Sequence, residues 1–496
     1  MVKKTRRALI NTGGSAKAGS RSPRAGFRGK LVIASNRTPY FKKKGGRYEK
    51  SIGGLVSALD PVMSATRGVW VASTPAVSKG CRTGGEALDI AVPPGDPKYT
   101  VHHVPIKRHD MNGYYHGYSN RLLWPLCHML PDKVYLKEFY WQSYKKVNAL
   151  FADAIIEKAK KKGSFVWLQD YHLSLCAGYI KNLRPDLRLS IFWHIPWPPY
   201  DVFRAAPQRR EILEGMLAND LVGFQIDNFK RNFLRCVDLE LGADIDLKGL
   251  FIHWKGHITK VKVFPISVDY KWFDAAARSR KAVRFSNKFK RERGLNGRII
   301  GISVDRLDYT KGILKCFEAL EIFFEKYPEY RGRFTFVQIA IPTRKTEPYL
   351  SYMREVQQKV ASINDMYATK DWKPIEYIEQ CCSHEELAAL FRVADIMLIT
   401  SVFDGMNLVA KEYIASQVDC TGALLVSEFA GVAEDMPGVI VINPYDTEGC
   451  ADMIKATIEV PAEKKNELMT IAREYLAEHD IYGWVSNIMD EMSKLR

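Results

Sequence analysis

Short runs of β-branched and aromatic residues recur along this chain, with helix-spaced segments between them. The first series reads "LVIAS" (31–35), "FVWLQ" (165–169), "LSIFWH" (189–194) and "LVGFQ" (221–225). Helical spacing lies between them, in "LVSALDPVMSA" (55–65) and in the long segment 139–162. Strands that are apolar along their whole length and separated by helices indicate parallel sheets built from βαβ units, covered on both faces. The stretch "VKVFPISVDYKWFDAAA" (261–277) closes this series, and a second begins. Its strands read "RIIGISV" (298–304), "RFTFVQIA" (333–340), "DIMLIT" (395–400), "GALLVS" (422–427) and "GVIVINP" (438–444), with a helix over 312–328. The pattern predicts an α/β protein of two doubly wound halves, residues 28–268 and 269–496, behind a tail over 1–27. Ligands of such sheets bind beyond the carboxyl ends of the strands, and two facing sheets make a cleft.

The charge of the chain bears on its partners. The formal charge is +17, but residues 1–30 hold nine Lys and Arg and no acid. The tail therefore carries +9 and the remaining residues only +8. That weakens a nucleic-acid-binding reading and suits small anionic substrates such as phosphates. The Gly-, Ser- and Arg-rich tail reads as a solvated, disordered extension, with an organellar transit peptide as the alternative. No apolar run approaches the ~18–20 residues of a membrane span. The nine cysteines show no CxxC spacing and sit mostly among apolar residues, which points to buried free thiols in a reducing, cytoplasmic setting.

Chemistry-bearing residues gather at the strand ends. "LVIASNR" ends in Arg37, "FVWLQD" in Asp170 and "LSIFWH" in His194. "GISVDRLDYTKG" places Arg306 and Lys311 after a strand, where a planar fork of donors and a compact charge suit a diphosphate. Taken alone, Arg306 fits equally an ion pair with Asp305 or Asp308 on a solvated turn. "DGMNLVAKE" reads as a helix N-terminus: Asp404 in the cap region, free N–H groups over 406–409, and Glu412 two turns on, suited to the vicinal hydroxyls of a ribose. An ordinary capped helix with one exposed Glu reads the same way. "SIGGLVSALDP" has paired glycines before a helix, and "GYYHGYSNRLLWPLCHM" is dense in aromatics that suit either a sugar ring or a core corner. HExxH, Cys/His metal spacing, GxSxG and Walker sequences are all lacking.

Together these strings resemble the trehalose-6-phosphate synthase family, the retaining glycosyltransferases of family 20 with the GT-B fold. "SNR" with "GGL", "YYHGYSNRLLWP", "WLQDYHL", "FWHIPWP", "GFQ", "RLDYTKG", "DGMNLVAKEY" and "SEFAG" occur in family order over about residues 30–490. The resemblance implies two Rossmann-like domains facing across a cleft, an acceptor-binding N-terminal one and a nucleotide-sugar-binding C-terminal one, with the last helix packing back on the first. It implies glucosyl transfer from a nucleotide diphosphate glucose, usually UDP-glucose, to glucose 6-phosphate, with retention at the donor carbon. On the donor side Arg306 and Lys311 resemble the diphosphate ligands. Glu412 resembles the ribose ligand, Leu408 and Val409 the backbone contacts, Asp404 and His194 the glucose contacts, and Gly54 part of a loop over the phosphates. On the acceptor side Arg37 and Arg344 resemble the grips on the sugar phosphate, Tyr115 and Trp124 further contacts, and Asp170 the holder of acceptor hydroxyls. Arg306, Lys311, Asp170 and His194 are the expected catalytic group. No metal or other cofactor is expected, no membrane and no specific nucleic acid, and a homo-oligomer is left open. Three positions depart from the family pattern: Ser73 where an aromatic is typical, Phe403 where Arg is frequent, and Ser267 where Gly is frequent. Ser73 keeps glycerol 3-phosphate with ADP-glucose as an alternative substrate pair. A silent sugar-phosphate sensor is the other alternative, although such members usually lose the diphosphate ligands that are present here.

Overall fold

A computed structural model describes residues 29–42, 48–51, 54–73, 88–246, 250–342, 344 and 346–495. The basic tail, the glycine pair's first member Gly53 and Cys81 lie outside the described residues. The strands of the N-terminal half are β1 (Leu31–Ser35), β2 (Tyr40–Lys42), β3 (Tyr48–Lys50), β4 (Val69–Ser73), β5 (Leu88–Val92), β6 (Tyr99–Val104), β7 (Phe165–Gln169), β8 (Arg188–Phe192), β9 (Leu221–Phe224), β10 (Asp244–Asp246), β11 (Phe251–Trp254) and β12 (His257–Val263). Those of the C-terminal half are β13 (Ile299–Arg306), β14 (Phe334–Ile341), β15 (Ile375–Ile378), β16 (Ile396–Ile399), β17 (Ala423–Ser427) and β18 (Ile440–Ile442).

The C-terminal sheet has the order β15-β14-β13-β16-β17-β18 and is parallel throughout. The centre of the N-terminal sheet repeats that order as β6-β4-β1-β7-β8-β9, again parallel. Antiparallel β5 borders one edge, while β12, β11 and β10 extend the other. Each half is thus a Rossmann sheet in which the strand order reverses between its first and fourth strands, and the crevice at that reversal is where such sheets take ligands. Every residue of β1, β4 and β7 is buried, which is why β1 and β7 read as apolar runs; β4 is buried in the same way, but the sequence reading missed it.

Strand β6 escaped the apolar pattern because it carries buried His102 and His103. They are satisfied by Asp89 at 2.5 Å and by the Thr38 hydroxyl at 2.9 Å. In the C-terminal half the period of two sorts each strand between two cores. Ile300, Ile302, Val337, Ile339, Met397 and Ile399 join a core continuous with the N-terminal half, whereas Phe334, Phe336, Ile396 and Leu398 face a second core on the other side.

The last helix, Ile481–Lys494, returns to the N-terminal sheet. Trp484 lies against Trp167 at 5.4 Å and Phe192 at 5.1 Å and donates to the Phe264 carbonyl at 3.0 Å. Glu491 pairs with Lys260 at 2.6 Å and Lys262 at 2.9 Å. The helix Tyr270–Arg278, directly after the crossing, sits with the C-terminal half, where Arg473 reaches Asp274 at 2.5 Å. Among the described residues no helix is long and apolar enough to cross a membrane. The eight described cysteines are free; five are buried, and Cys381 is exposed.

Candidate active site

The reversal point of each sheet presents an Arg and an Asp. In the N-terminal half Arg37 follows β1 and Asp170 follows β7; in the C-terminal half Arg306 ends β13 and Asp404 follows β16. The two halves touch where these loops meet. Gly405 lies so close to the His194 backbone that a Cβ would stand 2.1 Å from its carbonyl oxygen, so no larger residue fits without parting the halves. Arg344 of the C-terminal half crosses to Asn120 Oδ1 at 3.2 Å.

On the C-terminal side β13 runs into the short 3₁₀ turn Tyr309–Lys311. Gly312 ends that turn at φ 64° with its α-carbon packed on the Thr400 carbonyl, and then opens the helix Ile313–Lys326. Lys311 points back at Asp404, Nζ to Oδ2 at 2.5 Å. The same oxygen accepts from Asn407 Nδ2 at 3.1 Å and Ser401 Oγ at 3.3 Å. Burial pushes the Asp404 carboxyl up, but the Lys311 ammonium outweighs it and holds the group below the usual carboxylate range. Asn407, at φ 138°, caps the helix Leu408–Ser416 by accepting from the Ala410 N–H at 2.9 Å. Leu408 and Val409 supply that helix's first N–H groups, which have no partner within a helix. Glu412 is 8 % exposed and no cation pairs with it among the described residues, so burial pushes its carboxyl up to about 8. That leaves a buried carboxyl suited to a neutral hydroxyl partner, not the exposed Glu of an ordinary helix.

On the N-terminal side the aromatic segment forms a π-helix, Asn112–Leu123, running into the turn Trp124–Cys127. Its aromatics divide: Tyr114 and Tyr118 are fully buried core, whereas Tyr115 is only partly buried, and Trp124, just beyond the π-helix, is buried beneath the Arg306 and Arg344 guanidiniums. The Arg37 guanidinium reaches the Tyr115 hydroxyl at 3.4 Å. Although burial pushes the Tyr115 phenol up, Arg37 and Arg344 outweigh it and lower it, so both guanidiniums act on one point. Asp170 has φ 73°, a strained value for a non-glycine residue. Its Oδ1 accepts from the His194 N–H at 3.2 Å. Burial pushes its carboxyl up to about 7, against backbone N–H groups and the distant Arg37. The His194 ring bonds Gln169 at 2.9 Å, and burial pushes it down to about 3, so it is neutral in use.

Trp124 joins the two sides. The Arg306 guanidinium lies 5.1 Å from its ring and the Arg344 guanidinium 4.8 Å. Arg344 also bonds Asp308 at 3.1 Å and the Tyr349 hydroxyl. Arg306 stands 3.8 Å from Asp308, so the ion pair read from the sequence is there but loose, and Arg306 stays 29 % exposed.

The structure therefore gathers Arg306, Lys311, Asp404, Leu408, Val409 and Glu412 on one wall and Arg37, Tyr115, Trp124, Asp170 and His194 on the other, with Arg344 spanning both. Gly54 opens the helix Gly54–Thr66, while the approach to it at 52–53 lies outside the described residues. Ser73, at the end of β4, donates to the Asn36 carbonyl beside Arg37. Sequence reasoning missed Asn120, Tyr349, Gln169 and His128. Of these only His128 left a signal. It stands four residues after Trp124, bonds the Trp124 carbonyl at 2.6 Å and stacks at 4.0 Å from its ring.

Two Rossmann sheets with their reversal points turned to a common cleft, and cations on both walls, define the GT-B class of sugar transferases. The chain belongs to glycosyltransferase family 20, whose profile matches residues 26–494. It is 35% identical to the alpha,alpha-trehalose-phosphate synthase [UDP-forming] A of Dictyostelium discoideum over 95% of its length, and spans 63% of that longer relative. It is 35% identical to the trehalose-6-phosphate synthase of Mycolicibacterium smegmatis, covering 93% of this chain and 92% of the relative. Its fold matches the crystal structure of a UDP-forming alpha,alpha-trehalose-phosphate synthase from Burkholderia xenovorans in complex with glucose-6-phosphate. That match has a TM-score of 0.85 and 30% identity, over 94% of this chain and 100% of the other.

Proposed function

We propose that this protein transfers glucose from UDP-glucose to the anomeric hydroxyl of glucose 6-phosphate, with retention, forming trehalose 6-phosphate and UDP. The observation that carries the reading is the pair of cationic grips, Arg37 with Arg344 and Arg306 with Lys311, set on opposite walls and meeting at Trp124. One grip takes a sugar phosphate and the other a nucleotide sugar's diphosphate, and the walls then hold the acceptor's anomeric hydroxyl oxygen against the donor's C1. As the donor's C1–O bond breaks, negative charge grows on the departing diphosphate, and Arg306 and Lys311 meet it. The acceptor hydroxyl forms the new C1–O bond from the same face, and its proton passes to the leaving phosphate oxygen. Asp404 is engaged by Lys311, Ser401 and Asn407, which suits it to hold donor hydroxyls and not to attack. Glu412 accepts the ribose, and Asp170 orients the acceptor. These roles use no metal. The free cysteines suit a reducing compartment, and we place the protein in the cytoplasm.

A donor-by-acceptor matrix tests this. UDP-, ADP- and GDP-glucose are each offered with glucose 6-phosphate and with glycerol 3-phosphate, and nucleoside diphosphate release is followed. Release with UDP-glucose and glucose 6-phosphate above every other pair is expected. Preference for glycerol 3-phosphate would transfer the assignment to the alternative that small Ser73 leaves open.

A further inference from the structure

Asp308 has no part in the roles above, yet its carboxylate faces two of the four cations and its backbone carbonyl holds the backbone of a third. Its side chain is fully buried. One carboxylate oxygen, Oδ1, accepts from the Thr310 N–H at 3.2 Å and the Thr310 hydroxyl at 3.0 Å. The Asp308 carbonyl accepts from the Lys311 N–H at 2.9 Å. These bonds shape the 3₁₀ turn that aims Lys311 at Asp404. The other oxygen, Oδ2, faces two guanidiniums, Arg344 at 3.1 Å and Arg306 at 3.8 Å.

We infer that Asp308 is a positioning residue that aligns the donor and acceptor grips together: Oδ1 sets the turn of Lys311, while Oδ2 holds Arg306 and Arg344 side by side along Trp124. Burial pushes the Asp308 carboxyl up, but Arg306 and Arg344 outweigh it and keep it ionised. Two guanidiniums about 5 Å from one ring repel each other, and a charge between them offsets that repulsion. A bound diphosphate draws on Arg306 and a bound sugar phosphate draws on Arg344, so the shared carboxylate ties the two occupancies. The inference rests on the substrate assignment proposed above.

Asp308→Asn separates the two duties. The amide keeps an oxygen for Thr310, and Asn caps turns as well as Asp, but it removes the charge facing the guanidiniums. The expected result is a near-normal melting temperature, with both Michaelis constants raised and kcat lowered, for a loss of about 10- to 100-fold in kcat/KM for each substrate. A variant within threefold of the parent on both substrates, or altered toward one substrate only, overturns the inference. If Asp308→Asn melts low, Thr310→Val gives the second reading. It removes only the hydroxyl bond, and is expected to raise the donor KM severalfold and leave the acceptor KM unchanged; parent-like donor kinetics would overturn the link to Lys311. Calorimetric binding of UDP and of inorganic phosphate, each alone, keeps the test apart from the substrate assignment. If the parent transfers no glucose but Asp308→Asn still weakens both probes, the substrate reading fails and the positioning role stands.

Discussion

At its reversal point the N-terminal half presents Arg37 and Asp170, and the C-terminal half presents Arg306 and Asp404, on sheets whose six central strands share one order. The electrostatics differ. Asp404 is clamped by Lys311 at 2.5 Å and stays ionised. Among the described residues no ammonium clamps Asp170 in this way: backbone N–H groups hold it, the His172 ring stands 3.9 Å away, and burial pushes its carboxyl up to about 7. His172 is itself pushed well down by burial, so it adds no charge there. The shared order of six central strands thus places both pairs alike, and the neighbours of each carboxylate set its charge state. A carboxylate locked to an ammonium suits a wall that meets a diphosphate whose charge grows during reaction; beside the Arg37 and Arg344 grip, a titrating acid among neutral rings suits sugar hydroxyls.

The largest effect is expected at the fixed-charge wall. Arg306→Ala should lower kcat by about 10²–10³-fold through lost leaving-group stabilisation, measured as nucleoside diphosphate release at saturation. A near-parental rate would erase the contrast between the walls. Arg37→Ala should act on the other wall, raising the acceptor KM by about 10–100-fold, as for a lost charge-assisted bond, with the donor KM steady. A donor effect of equal size would mean that the grips are not divided as described.

The titrating acid gives a pH signature. Parent activity should fall as pH drops through about 7, where Asp170 takes up its proton. Asp170→Asn, slower throughout, should lose that inflection; its persistence would assign the titration elsewhere.

The smallest effect concerns stability. The Glu412 carboxyl is raised from 4.5 to about 8 in the folded chain, so the native state holds its proton where the unfolded state has lost it. Stability is therefore lost as pH climbs from about 4.5 to about 8, and the loss is complete above that. Glu412→Gln removes this cost. Its melting temperature should match the parent near pH 4, exceed it increasingly up to pH 8 by a few degrees, and then hold level. A constant offset across pH would show that Glu412 is not the titrating group.

Much of this architecture was legible along the chain. Apolar runs on strands buried on both faces are a local signal, and so are the residues that follow each run. Arg37, Asp170, His194, Arg306 and Asp404 could be placed at strand ends because a strand's end is set by its own few residues. β6 was hidden because its buried histidines are satisfied by Asp89 and Thr38, which no local window contains. The π-helix was read only as an aromatic cluster, because which tyrosines face the core and which the cleft depends on the elements it packs against.

Sequence alone indicated two α/β halves and the charged residues that follow their strands, since these come from hydrophobic pattern and from residues that are near neighbours along the chain. Tertiary structure alone decided their partners and charge states. Arg344 meets Asn120 from 224 positions away, Lys311 meets Asp404 from 93, and Glu412 is buried with no cation beside it among the described residues. The physical reason is that the free energy of a charge depends on which atoms surround it in space and how far water is kept out, and neither quantity is written in the order of residues along the chain.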